Sequence, residues 1–250
     1  EQNGAFQSNY GNSTGIWTAG SMTLHANVTS PMSALSHETA TRLHSPSYMK
    51  WDEHSAMLSS VNASSAVFHS MLIPIPVGSQ VTFDKIETVV DAHAASCTAG
   101  SDVIISAINL GRGIASLSTH LGTAETDAAY GVMGTDSVSQ VTLFLEEVTQ
   151  FSLSSLPLFQ CDLPSRVAAH FTANAIDVTV QSDGAVNLLL MVTQQPDTII
   201  GTGFGSYEME DGLLRIEVPA GRADMKILPA GTTSISGGST PKEFEITGLY

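Results

Sequence analysis

Hydrophobic and polar positions follow three different patterns along the chain. Between residues 66 and 195, short runs of β-branched and aliphatic residues recur with turn residues between them, at 66–76 (AVFHSMLIPIP), 80–94, 102–110, 138–148, 167–181 and 185–194. Several alternate with a period of two. Val81, Phe83 and Lys85 oppose Thr82, Asp84 and Ile86, and Ile176, Val178 and Val180 oppose Asp177, Thr179 and Gln181. Strands with two unlike faces produce this pattern. Ser182-Asp183-Gly184, between the last two runs, supplies hairpin chemistry with a glycine free to take positive φ. No amphipathic helical period separates the runs. The pattern therefore predicts an all-β domain over 66–195, an antiparallel β-sandwich or jelly roll.

The flanks read differently. Residues 1–65 are rich in Ser, Thr, Asn, His and Met and carry no sustained period. One strand is expected over Ile16–Val28, where Trp17, Ala19, Met22, Leu24 and Ala26 share a face after one slip near Gly20. Ser30 to Ser60 reads as an extended N-terminal arm with room for a helical turn, lying along its own body or a neighbouring subunit. Residues 196–250 are glycine-rich. Short strands are expected at Leu213–Val218, Asp224–Leu228 and Glu243–Ile246, the first two closed by Pro219-Ala220-Gly221 and Pro229-Ala230-Gly231. Fifty or so residues make a thin core alone, so this zone is a small C-terminal β-annex or the closing strands of the main sandwich.

Composition changes the picture at the surface. The chain of 250 residues has 24 acidic and 9 basic side chains, a formal net charge of -15 and a pI near 4.6. Gripping phosphates needs clustered Lys and Arg, and this chain has 4 Lys, scattered singly, so nucleic acid is not expected as a partner. Charged residues are 13% of the chain, about half the usual share, while 31 Ser and 24 Thr fill the gap. Such a neutral, hydroxyl-rich surface suits packed assemblies, extracellular proteins and virion shells. No apolar run reaches the roughly 18 residues that a membrane-spanning helix needs, and no membrane partner is expected. The chain begins at Glu1, which fits either a removed leader or numbering from inside a precursor.

The stretch 66–93, followed by the strand at 102–110 and a terminal hairpin ending VNLLLMVTQ, resembles a β-sandwich module of tailed-phage virion proteins. Phe68, Leu72, Pro74, Pro76, Gly78, Val81 and Ile86 occupy the places of that module's pattern. The resemblance covers about 130 residues with generic elements that secreted sandwiches share. It implies a structural role in a capsid, tail or fibre, and carries no catalytic residues over.

Candidate chemistry is sparse. Among the eight histidines, His25, His37, His44 and His54 fall in the arm, and no pair has zinc-ligand spacing. His37 and His44 would share a face only on a helix, which Pro46 disfavours; His69, His93 and His170 sit in strands, where a half-buried face explains them. Gly201-Thr202-Gly203-Phe204-Gly205 lacks the lysine and the strand–loop–helix context of a phosphate loop and reads as a bend. Glu208, Glu210 and Asp211 lack a calcium-loop ligand ladder, and Asp211-Gly212 reads as a hairpin turn. Asp84, Glu87, Asp91, Glu146 and Glu147 are carboxylates on predicted strands that sequence cannot pair into a glycosidase site. There is no Gly-x-Ser-x-Gly elbow. Cys97 and Cys161 allow one bridge or two buried thiols, and exclude a disulfide-dense scaffold or a four-cysteine zinc site. Three sequons, at Asn12, Asn27 and Asn62, indicate only that the arm is exposed.

The expectation is a non-enzymatic virion structural protein, of capsid decoration, cement, tail or fibre type. It carries no cofactor, metal or catalytic residue, assembles as a homo-oligomer (trimer or larger) and meets other virion proteins. The alternative is a secreted or surface glycan-binding sandwich of the lectin or adhesin kind. That reading wants an aromatic platform on loops, whereas Trp17 and Trp51 both lie in the arm. A hydrolase on a jelly-roll frame stands third.

Overall fold

A computed structural model describes residues 5–9, 14–28, 34–45, 50–60, 62–64, 67–86, 92–136, 140–192, 195–210 and 213–229. The described residues form strands and turns, without a helix, and every strand pair is antiparallel. This is the expected all-β class.

The arm opens with β1 (Ala5–Asn9), β2 (Thr14–Ala19) and β3 (Met22–Val28), then β4 (Ala34–Ser45) and β5 (Lys50–Ser60). The single strand expected across Gly20 is two. Gly20 takes a φ of 60°, open to glycine at no steric cost, and reverses the chain so that Ala19 pairs with Met22 and Trp17 with Leu24. The expected shared face survives, because register partners in a hairpin point the same way. The arm beyond Ser30 is likewise no lone extended segment with a helical turn. Strands β4 and β5 pair with each other from Ala34↔Ser60 to Ser45↔Lys50 as a separate two-stranded sheet. Pairing gives backbone donors and acceptors partners that an isolated extended chain lacks. The side chains of 34–59 lie outside the described residues, His37, His44 and His54 among them.

Strand β6 (Ser70–Pro76) does not enter the body sheet. It pairs with β3, from Met22↔Pro76 to Val28↔Ser70, completing a four-stranded sheet of order β1-β2-β3-β6. The body then runs β7 (Val81–Ile86), β8 (Ala92–Ala99), β9 (Asp102–Asn109), β10 (Ala115–Thr119), β11 (Gly122–Thr126), β12 (Tyr130–Thr135), β13 (Val141–Leu153), β14 (Leu156–Phe171), β15 (Ile176–Ser182), β16 (Val186–Met191), β17 (Pro196–Thr202), β18 (Tyr207–Glu210), β19 (Leu213–Val218) and β20 (Gly221–Pro229).

Two long strands turn this body sheet into a sandwich. β13 pairs with β12 through its first half and with β11 through its second; β14 pairs with β16 through its first half and with β15 through its second. Between the halves the register shifts near Leu145/Val148, where Glu147 takes a positive φ of 51°. Such bulges bend a strand and increase its twist. One layer is therefore β17-β20-β15-β14-β13-β12-β9-β8-β7 and the other β10-β11-β13-β14-β16-β19-β18. Inward residues of both layers fill one core. Leu143, Leu145, Val167, Val178, Val180, Ala223 and Met225 meet Leu117, Phe151, Phe159, Leu188, Leu190, Leu214 and Ile216. Phe151 and Phe159, register partners, stack with ring centroids 6.2 Å apart.

The expected C-terminal strands at 213–218 and 224–228 are β19 and part of β20. They hydrogen-bond to β16 and β15, so they belong to the body sheet. Glu243–Ile246 and the Asp211-Gly212 turn lie outside the described residues. The run at 167–181 divides at a Thr172–Ala175 turn, whose Thr172 hydroxyl donates to the Ala175 carbonyl at 2.9 Å.

Candidate functional site

The four-stranded sheet lies on the outer face of β7–β8–β9. Met71 of β6 packs against Ala95 and Cys97 of β8, with Ile73, Val81, Phe83 and Ile104 around them. Small residues on β8 let the two layers approach. At one end of this joint His69 is buried and hydrogen-bonded to Ser106 at 3.0 Å. Burial, and secondarily the neighbouring His93, holds the His69 pKa below its ordinary value of 6.5. His25, opposite Ile73 on the same inner face, is likewise lowered by burial.

The outer face of the body sheet changes character across its width. At the β13–β14–β15–β20 end it is polar and laced with ion pairs. Lys226 sits 3.2 Å from Asp177, Arg222 2.9 Å from Asp224, and Arg166 2.6 Å from Glu146. The Thr179 hydroxyl also donates to Asp224, at 2.7 Å. Hydrogen bonds from Arg222 are the largest cause holding the Asp224 carboxyl below the usual carboxylate range. At the β9–β8–β7 end, Ile104, Ala95, Cys97 and Phe83 make the same face apolar, and there the four-stranded sheet covers it.

The outer face of that covering sheet is apolar too. Register partners place Trp17, Leu24 and Pro74 in one row and Ala19, Met22 and Pro76 in the next, with Leu72 beside Ala26. No residue of β2, β3 or β6 is Asp, Glu, Lys or Arg. Ala26 and Val28 are buried on this face, whereas Met22, Leu72, Pro74 and Pro76 are exposed.

The residues weighed from sequence are dispersed. Glu146 pairs with Arg166 and Glu147 with Arg112, Asp84 is exposed on β7, and Glu87 and Asp91 lie outside the described residues. His120 and His170 are hydrogen-bonded to Thr135 and Thr142, each at 2.9 Å. Among the described residues no three His, Cys, Asp or Glu side chains group as metal ligands. Gly203, at a φ of 79°, lies so close to β20 that a Cβ would stand 2.2 Å from the Arg222 carbonyl oxygen, the behaviour of a packed bend. Cys97 and Cys161 are free and buried, and burial pushes the Cys161 thiol up to about 12. Between the body layers, a cavity of about 20 Å³ is lined by Ala107, Asn109, Leu117, Thr126, Met133 and Phe151. Asn109 donates through Nδ2 to the Gly113 carbonyl at 2.6 Å; its buried Oδ1 has no protein partner among the described residues. The space suits about one water molecule.

These features define an all-β, sandwich-like protein with a second sheet layered on its outer face. Neither a scan against models of known protein families nor a search of curated proteins returns a match. Sequence reading missed this exposed apolar face as a site. Its signal was present in the run SMLIPIP, which is apolar at both parities where a strand with one solvent face would alternate.

Proposed function

We propose that this chain is a non-enzymatic structural subunit of a virion, a capsid decoration or cement protein or a tail or fibre subunit. It acts in the virion by assembling with copies of itself, as a trimer or larger, and by an N-terminal arm over neighbouring subunits and other virion proteins. The observation that carries this reading is the uncharged, apolar outer face of β2–β3–β6 in a chain whose net charge is -15. Copies of so acidic a molecule repel one another, and burying charged groups costs several kcal/mol per ion, so contacts fall on surface free of charge. The resemblance of 66–93 and the following strands to phage sandwich modules points the same way.

The test is the solution mass of the purified chain, with and without residues 34–60, the latter bridged by a short linker. A trimer or larger particle that loses subunits when the β4–β5 hairpin is removed supports the reading. A stable 26.2 kDa monomer that binds a glycan array overturns it in favour of a glycan-binding sandwich.

A further inference from the structure

We propose that the exposed half of the outer face of β2–β3–β6, centred on Met22, Leu72, Pro74 and Pro76, is the contact surface for a second copy of this chain. The inference rests on the assembly reading above and assigns the face that carries it. The molecule itself shows what becomes of an apolar outer face. Where Ile104, Ala95, Cys97 and Phe83 turn the body sheet apolar, another sheet lies on top. The outer face of that second sheet repeats the pattern with nothing charged on it. Leu72 is 60% exposed and Met22 45%, with Pro74 and Pro76 exposed beside them. Clustered exposure of this kind marks an interaction site, whereas scattered single residues would not.

Two observations narrow the occupant. The first is the edge of β6, which among the described residues pairs with β3 alone. The Val77 amide donates to the Ser21 carbonyl at 2.9 Å, so odd-numbered residues of β6 turn their amides toward β3 and even-numbered ones toward the other edge. Two of the even positions are Pro74 and Pro76, which have no amide to give. An added strand would find half its donors missing there, so the partner lies on the face rather than along the edge. The second is charge. A basic partner of this acidic chain would be drawn to carboxylates, which this face lacks. Its match is another uncharged apolar sheet face, and the one that the structure offers among its described residues is this face on a second copy. Face-to-face packing of two such sheets reproduces the way the body layers already pack and joins copies in pairs, so the larger assembly of the reading above is built from such pairs through further contacts.

Sedimentation equilibrium of the full chain, the Leu72→Lys and Leu72→Asp variants, and a Gln181→Lys control on the charged outer face tests this. Loss of a central apolar anchor is expected to weaken self-association by about thirtyfold or more. Both Leu72 variants should do so while unfolding as the parent does at dilutions where each is a single chain, and Gln181→Lys should assemble as the parent. Using both charge signs separates a lost apolar contact from a change in net repulsion. A parent that assembles equally well with either Leu72 variant overturns this assignment and leaves the assembly reading standing. A parent that stays at 26.2 kDa, with or without a glycan or another protein bound to the face, overturns both.

Discussion

Two outer faces of this molecule are made from the same antiparallel strands and have opposite chemistry. On β14, β15 and β20 the outward positions are Arg166, Asp177, Thr179, Gln181, Arg222, Asp224 and Lys226, joined in ion pairs and hydrogen bonds. On β2, β3 and β6 they are Trp17, Met22, Leu24, Leu72, Pro74 and Pro76. Both sheets turn their other face inward, Val178, Val180 and Met225 in the first and Met71, Ile73 and Ile75 beside Thr23, His25 and Asn27 in the second, so being covered on one side does not distinguish them. What differs is the medium that each outward face is built to meet. Water is the medium of the first; the second repeats the chemistry of the covered end of the body sheet.

The largest expected effect contrasts two neighbours on β6. Met71→Ala, in the covered joint against Cys97, should destabilise the fold by about 2–5 kcal/mol in urea unfolding. Leu72→Ala, one residue on and facing out, should stay within about 0.5 kcal/mol for the dilute single chain. Equal costs would mean that the four-stranded sheet is not packed on the body, and the comparison would collapse.

Acid should act on the covered joint next. His69 and His25 have folded pKa values below the ordinary 6.5, so the unfolded chain binds more protons than the folded one just below that pH. Stability is then fully present above about pH 6.5 and falls as the pH drops toward the folded pKa values. His69 faces Ser106 and His93, and Lys85 lies on the same face of β7 as Phe83. Unfolding midpoints of the parent and His69→Gln, compared between about pH 7 and pH 5, check this. The variant should lose part of the slope, and an unchanged slope would assign the effect to other groups.

Smaller changes are expected on the charged face. Lys226→Ala removes an exposed pair with Asp177 and should cost about 0–1 kcal/mol, less in high salt. The smallest effect concerns the thiols. Cys161, with its pKa pushed up to about 12, and Cys97, also raised by burial, should resist alkylation in the native chain and react on unfolding. Rapid labelling of Cys97 alone in native conditions would show that the covering sheet opens while the body stays folded.

Much of the strand content was legible in the pattern. The runs at 80–94, 102–110, 138–148 and 185–194 contain β7, the first residues of β8, β9, much of β13 and β16, because β-branched and aliphatic residues crowd them. Strands β10, β11 and β12 were not legible. ASLST, GTAET and YGVMGT are built of Ala, Gly, Ser and Thr with few β-branched apolar residues, and they are strands because long-range neighbours pair with them. The turn at Gly20 was read as a slip because a slip and a two-residue hairpin leave the same residues on one face. Of the candidate site, the apolar parity of β6 was visible, but not the sheet that it joins.

By itself the sequence determined the all-β class, the alternation that divides each body strand into core and outer faces, and the shortage of charge. These depend on residue type and spacing within a few positions, and period-two geometry is local. Tertiary structure decided the rest. Pairing β3 with β6 across the 41 residues from 29 to 69, folding one sheet into two layers at β13 and β14, and placing the four-stranded sheet over Ala95 and Cys97 are non-local choices. An apolar outward face signals in the sequence that it will be covered, because exposing it to water is unfavourable. Which surface covers it depends on shape and charge brought together from distant segments, and only the folded chain assembles those.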